Sequence, residues 1–167
     1  SIREGVAESL ALLGAKGNAL SNTSDNRAEV TARIVVRRLL DSADWLTWAS
    51  LNNEMPLLAE AAPDEFLDAV EEALEDLATS PFIDVFRQEG TGGIGGWNYI
   101  TGILWALETL AWHPDYLGRA TILLGDLAAI DPGGSWANRP LNSLVDIFLP
   151  WLSHSLADLP TRKTALE

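Results

Sequence analysis

A chain of 167 residues, 47% of them hydrophobic, suffices for one domain with a buried core and is short for two. Its 0 cysteines exclude disulfides, thiolate metal sites and cysteine nucleophiles. Its net charge of −13, with no lysine or arginine between Arg38 and Arg87, opposes binding to a phosphate backbone, so nucleic acid is not an expected partner.

No uncharged apolar run of ~18 residues occurs, and the start lacks the basic, apolar and small-residue succession of a signal peptide. A membrane partner is therefore not expected, and the location expected is cytoplasmic. The chain begins at Ser1 and is already in an amphipathic pattern by Gly5, so residues 1–167 are read as a single all-helical domain cut from a longer chain.

The first helix places Val6, Leu10 and Leu13 at helical spacing and ends in the glycines and polar residues of "GAKGNALSNTSDN". A second helix is expected to open at Asn26, with Glu29 at capping-box spacing, and to present Val30, Ile34, Val35, Leu39 and Leu40 as its apolar positions. Arg33 and Arg37 share another of its faces, with Glu29 spaced to pair with Arg33.

"SADWLTWASLNNEMPLLAEAAP" predicts one or two short helices broken near Asn52 to Pro56. Pro63 then opens the clearest helix, because proline gives up no needed donor in a first turn and Asp64 and Glu65 favour the positive end of the dipole. Phe66, Leu67, Val70, Leu74 and Leu77 form its apolar stripe. "FIDVF" after Pro81 reads as a helical turn, since five residues without a second strand cannot form a sheet.

From Trp97 to Trp112 the pattern is apolar almost all round and predicts a central helix covered on most sides. Pro114 stops it, and another helix follows from Asp115 to Ile130. "DPGGSW" is a turn with two glycines able to take positive φ; Asn138 is expected to cap a helix containing Leu141, Leu144, Ile147 and Phe148, and "LPTRKTALE" starts a last one.

A displacement of about fifty residues lays Phe66, Leu67, Leu74, Asp76, Leu77 and Ala78 on Tyr116, Leu117, Leu124, Asp126, Leu127 and Ala128, near the period of helical-pair repeats. The fold class expected is all-α, with antiparallel helix pairs stacked as a helical-repeat-like (HEAT/TPR-like) array or an irregular bundle.

"GTGGIGG", within "EGTGGIGGWNYITG", invites a nucleotide-binding reading. A Walker A loop needs GxxxxGK[ST], but here Gly96 stands at the lysine position and Trp97 at the hydroxyl position. Gly90, Gly92 and Gly95 fit G-x-G-x-x-G, yet neither a preceding buried strand nor a βαβ unit is visible. The loop reads as a connection between helices, and no cofactor is expected.

Glu108 shares a helix face with Trp97, Thr101, Trp105 and Trp112, and a carboxyl against aromatic rings can act as a general acid. Its plainer role is a buried acid satisfied by Arg119 or Arg139, with Trp105 and Trp112 as core. His113 and His154 sit near helix ends, where a histidine favours the dipole, and no matched donor spacing predicts a metal. Asp68, Glu71, Glu72 and Glu75 form an acidic face that could dock a basic partner, with Arg33 and Arg37 as its counterpart within the chain.

The strings "GILWALETLAWHPDYL" from Gly102, "LAAIDPGGSWANRPLNSL" from Leu127 and "IFLPWL" from Ile147 resemble a helical region of large, uncharacterised bacterial multidomain proteins, some similar to signal-transducing NTPases of the STAND type. The resemblance implies a helical sensor or scaffold beside a separate ATPase or effector module, and carries no catalytic residue onto this chain. The expected function is a non-enzymatic scaffold or sensor module for protein interaction or interdomain regulation, its partner a protein or neighbouring domains of the same chain. The alternative is a small-ligand-binding or hydrolytic domain with a pocket of Trp97, Trp105, Glu108 and Trp112 gated by the glycine loop.

Overall fold

The structure is a computed structural model that describes residues 2–16, 27–90, 98–149 and 155–166. Among these residues there are ten helices and no strand. They are α1 (Ile2–Lys16), α2 (Arg27–Leu40), α3 (Trp45–Ser50), α4 (Met55–Ala61), α5 (Pro63–Leu74), α6 (Pro81–Arg87), α7 (Thr101–Ala111), α8 (Pro114–Ile130), α9 (Pro140–Phe148) and α10 (Leu159–Thr164).

The helices stack in two rows. In one row α1 packs on α4, α4 on α7 and α7 on α9; in the other α2 packs on α5, α5 on α8 and α8 on α10. Three successive pairs, α1 with α2, α4 with α5 and α7 with α8, join the rows, so the chain is all-α and its helix pairs stack as expected. The fifty-residue echo lies on α5 and α8, which are neighbours in the second row.

Local chemistry explains where the helices begin. Asp44 accepts from the Thr47 N–H at 2.8 Å, Ser80 from the Phe82 N–H at 3.3 Å, and Asp158 from the Thr161 N–H at 2.9 Å. Proline stands in the first turn of α4, α5, α6, α8, α9 and α10, where its missing donor costs nothing. "FIDVF" is helical in α6, and Phe82 packs its ring 5.0 Å from that of buried Trp48.

The core is shared by both rows: Val36 and Leu40 from α2, Phe66, Leu67 and Val70 from α5, Ile103 and Leu107 from α7, and Leu117 and Leu124 from α8. Burying each such side chain stabilises the fold by about 1.5–3 kcal/mol before chain entropy is counted. Close backbone approach tightens the first row: a Cβ on Gly14 of α1 would overlap Ala61 of α4, and one on Gly102 of α7 would overlap Asn52.

Several expectations need correction. Helix α2 buries Ala28, Ala32, Val36 and Leu40, leaving Val30, Ile34, Val35 and Leu39 exposed; small alanines let α2 approach its neighbours, and the larger branched residues lie to the outside. Val6 of α1 is exposed as well, while Leu10 is buried. Helix α5 ends at Leu74, because Asp76 accepts from the Ala78 N–H and the Thr79 hydroxyl and folds the chain into a turn that leaves Leu77 half-buried.

Helix α7 starts at Thr101, and Trp105 and Trp112 are not core: they are 54% and 45% exposed. His113 stands at the end of α7, its N–H donating to the Leu110 carbonyl at 3.0 Å, and also caps α8, its Nδ1 accepting from the Asp115 N–H. Asn138 does not cap α9; Arg139 holds that position, and the Asn138 amide donates to Thr101 Oγ1 at 3.3 Å. The expected cap at Asn26, most of the glycine loop including Trp97, and His154 lie outside the described residues.

Candidate functional site

The acidic face of α5 divides into two halves. On the side of α8, Arg119 donates from Nε to Glu71 at 2.8 Å and from Nη2 to Asp68 at 2.6 Å, with Asp64 at 3.5 Å. These bonds raise the Arg119 pKa above its ordinary value, the Glu71 bond most. Asp68 and Glu71 are therefore engaged within the chain, and they tie α5 to α8.

On the side of α2, Arg33 donates to Glu65 at 2.6 Å rather than to the expected Glu29, since Glu65 comes from the helix packed against that face. That bond raises the Arg33 pKa. Arg37 lines a hollow of about 100 Å³ together with Asp41, Glu65, Asp68 and Glu72. The predicted counterpart stripe therefore meets the acidic helix through Arg33, with Arg37 beside it.

Glu72 and Glu75 remain exposed, and with Asp76 they stand over a groove of about 510 Å³. Leu40, Ala43, Trp48, Ala69 and Ala73 supply its apolar walls, and Ser42, Thr79 and Ser80 add hydroxyls. The groove lies where the end of α2, Trp48 of α3, the second half of α5 and the start of α6 meet. Ser42, with φ of +50°, makes the turn that separates α2 from α3. Trp48 is held by its indole N–H, which donates to the Ala43 carbonyl at 3.1 Å. The chemistry offered is an apolar wall under three carboxylates, suited to a cation with an aliphatic stem.

The second candidate does not assemble. Trp105 and Glu108 border a hollow of about 40 Å³ with Arg139, Asn142 and Asp146, room for about one water. Glu108 is half-buried, and neither expected arginine bonds to it, because Arg119 is held by α5 and Arg139 by two other carboxylates. Trp112 stands exposed at the far end of α7.

Arg139, expected as a partner for Glu108, is held elsewhere. Its guanidinium, 9% exposed, donates to Asp131 at 2.8 Å and to both carboxylate oxygens of Glu89. Asp131 also accepts from the Gly133 N–H, and Gly134 carries no Cβ where the guanidinium passes. Gly133 is left-handed at φ of +74°. The "DPGGSWANR" turn is thus clasped to the residue preceding Gly90, at the root of the glycine-rich segment.

Among the described residues no group of three or more histidine or carboxylate side chains is arranged to hold a metal ion, and no helix is long and apolar enough to cross a membrane. No protein-family model, curated protein or solved structure matches this chain.

Proposed function

We propose that the chain is a helical scaffold or sensor module, without catalysis of its own, that binds a basic protein segment and regulates neighbouring domains of a larger bacterial protein. The observation that carries this reading is the groove of about 510 Å³ over Trp48, where three exposed carboxylates, Glu72, Glu75 and Asp76, stand beside apolar walls. A lysine or arginine there lays its methylenes on the half-buried Ala43, Ala69 and Ala73 and its charge against the rim. The resemblance of the α7 to α9 region to a helical region of large uncharacterised bacterial multidomain proteins, some similar to STAND-type NTPases, supports the same reading, with the ATPase or effector chemistry outside this chain.

The test is fluorescence anisotropy of a labelled peptide of alternating lysine and leucine, against a glutamate and leucine control. The basic peptide is expected to bind and the acidic one not. The double variant E72K/E75K is expected to weaken the interaction by at least roughly tenfold, as is high salt. Equal binding of both peptides, or no response to the double variant, removes the groove from the proposal.

A further inference from the structure

The acidic groove over Trp48 and the smaller hollow beside it share a wall. Ala69 and Glu72 of α5 line both: Glu75 and Asp76 join them on the side of the groove, and Arg37 and Asp41 from the end of α2 join them around the hollow of about 100 Å³. Glu72 is exposed and stands between the two. Its carboxylate can therefore serve a cation lying in the groove or the guanidinium of Arg37, which borders the hollow.

The other charges around these cavities are already committed or lie elsewhere. Glu65 and Asp68 also line the hollow, but Glu65 is bonded to Arg33 and Asp68 to Arg119. On α6, Arg87 pairs with Asp84. Arg38 is exposed and lines neither cavity. Among the described residues this leaves Asp41, Glu72, Glu75 and Asp76 as the bordering carboxylates without an ion pair, and Arg37 as the one cation among them.

Arg37 is itself loosely held. Its guanidinium makes no hydrogen bond or ion pair among the described residues. Asp41 follows one turn later, its N–H donating to the Arg37 carbonyl at 2.9 Å, but a cation placed four residues before an acid is the weaker orientation of such a pair. Exposed and on a long stem, the side chain keeps the rotamer freedom to turn toward Glu72. An acidic ligand is not invited to it, because four carboxylates surround the same hollow.

We infer, resting on the groove as the site of a basic segment, that Arg37 is an internal competitor for the basic side chain the groove takes. It shares the charge of Glu72 in the free protein and yields it when the ligand's cation arrives. Binding then begins with the loss of an internal attraction, so Arg37 raises the density of positive charge that a partner must carry and disfavours weakly basic segments.

Fluorescence anisotropy of the labelled lysine and leucine peptide tests this with Arg37→Gln and Arg38→Gln, which remove the same charge one residue apart; circular dichroism verifies that each variant folds. Arg37→Gln is expected to tighten binding roughly threefold at low salt, the scale of one exposed charge pair, and Arg38→Gln distinctly less. In a Glu72→Gln background, where the shared carboxylate is gone, Arg37→Gln is expected to change the affinity little. Equal tightening by both arginine variants, no tightening by Arg37→Gln, or the same gain with and without Glu72 overturns the inference and leaves the groove standing. A peptide that binds neither the wild type nor the Arg37→Gln protein removes the groove and the competitor together.

Discussion

The side-chain carbonyl of Asn52 accepts a hydrogen bond from the backbone N–H of Gly102 at 2.7 Å, and the Asn52 backbone carbonyl fills the space where a Cβ on Gly102 would stand. One contact thus satisfies a donor in the first turn of α7 and sets how closely α7 approaches the segment leading into α4.

Gly102→Ala forces that carbonyl aside and is expected to cost about 1–3 kcal/mol, read as a lower urea midpoint with unchanged slope. Gly118→Ala is the contrast. A Cβ there meets nothing within 4 Å, and α8 is helical through it, so alanine is expected to stabilise by about 0.5–1 kcal/mol. Equal effects at the two positions would show that close approach does not govern the packing of α7.

Arg139 gives the second prediction. Its guanidinium is nine-tenths buried between Glu89 and Asp131, so Arg139→Met leaves two half-buried carboxylates without their cation. The expected loss is about 3–5 kcal/mol. Arg139→Lys is expected to lose less but not to restore wild-type stability, because an ammonium cannot present the two-sided fork that reaches both acids. Chemical denaturation of the three proteins measures this; a loss below about 1 kcal/mol for Arg139→Met would mean that the clasp does not hold the turn in place.

These two contacts show what a sequence reader can and cannot see. Helix α5 was legible because proline, two acids and a regular apolar stripe all point the same way, and α8 was legible as the run that follows Pro114. Helix α2 misled because half of its buried face is alanine, Ala28 and Ala32 beside Val36 and Leu40, so the larger exposed residues look like the stripe. Trp105 and Trp112 misled for the related reason that a helix packed on α4, α8 and α9 is apolar nearly all round, and composition alone does not say which side stays open. The acidic face was visible, but its division was not: that Arg119 takes Asp68 and Glu71 while Glu72 and Glu75 remain exposed depends on which helix lies on each side. The contact of Asn52 with Gly102 and that of Glu89 with Arg139 each join residues fifty apart and carry no local signal.

Arg119 supplies a prediction about salt. Its side chain is 30% exposed and its acidic partners more so, so Arg119→Ala is expected to cost roughly 1 kcal/mol at low ionic strength. The cost is expected to shrink as salt is raised to about 1 M, where the screening length falls to about 3 Å. The buried Arg139 clasp is expected to be far less sensitive to salt, so the two variants are best measured side by side. A salt-independent loss at Arg119 would point to the packing of its methylenes rather than its charge.

The cap of α3 makes the pH prediction. Asp44 accepts from the Thr47 hydroxyl at 2.7 Å and from the Thr47 N–H at 2.8 Å, and these bonds, the hydroxyl first, hold its carboxyl below the ordinary value of 3.8. A carboxyl with a lowered folded value binds its proton more weakly in the folded state than in the unfolded state. Its contribution is therefore fully present above the unfolded value and is lost as pH falls through the folded one. Asp44→Asn keeps an acceptor for the Thr47 N–H but removes the titration and the charge that favours the positive end of the helix. Thermal midpoints of the two proteins are expected to differ above about pH 5, with the wild type higher, and to converge as pH falls toward about 2. Both proteins share every other titrating group, so the difference between the curves belongs to Asp44 alone. A gap that does not change with pH would assign the cap's stabilisation to hydrogen-bond geometry and not to its charge.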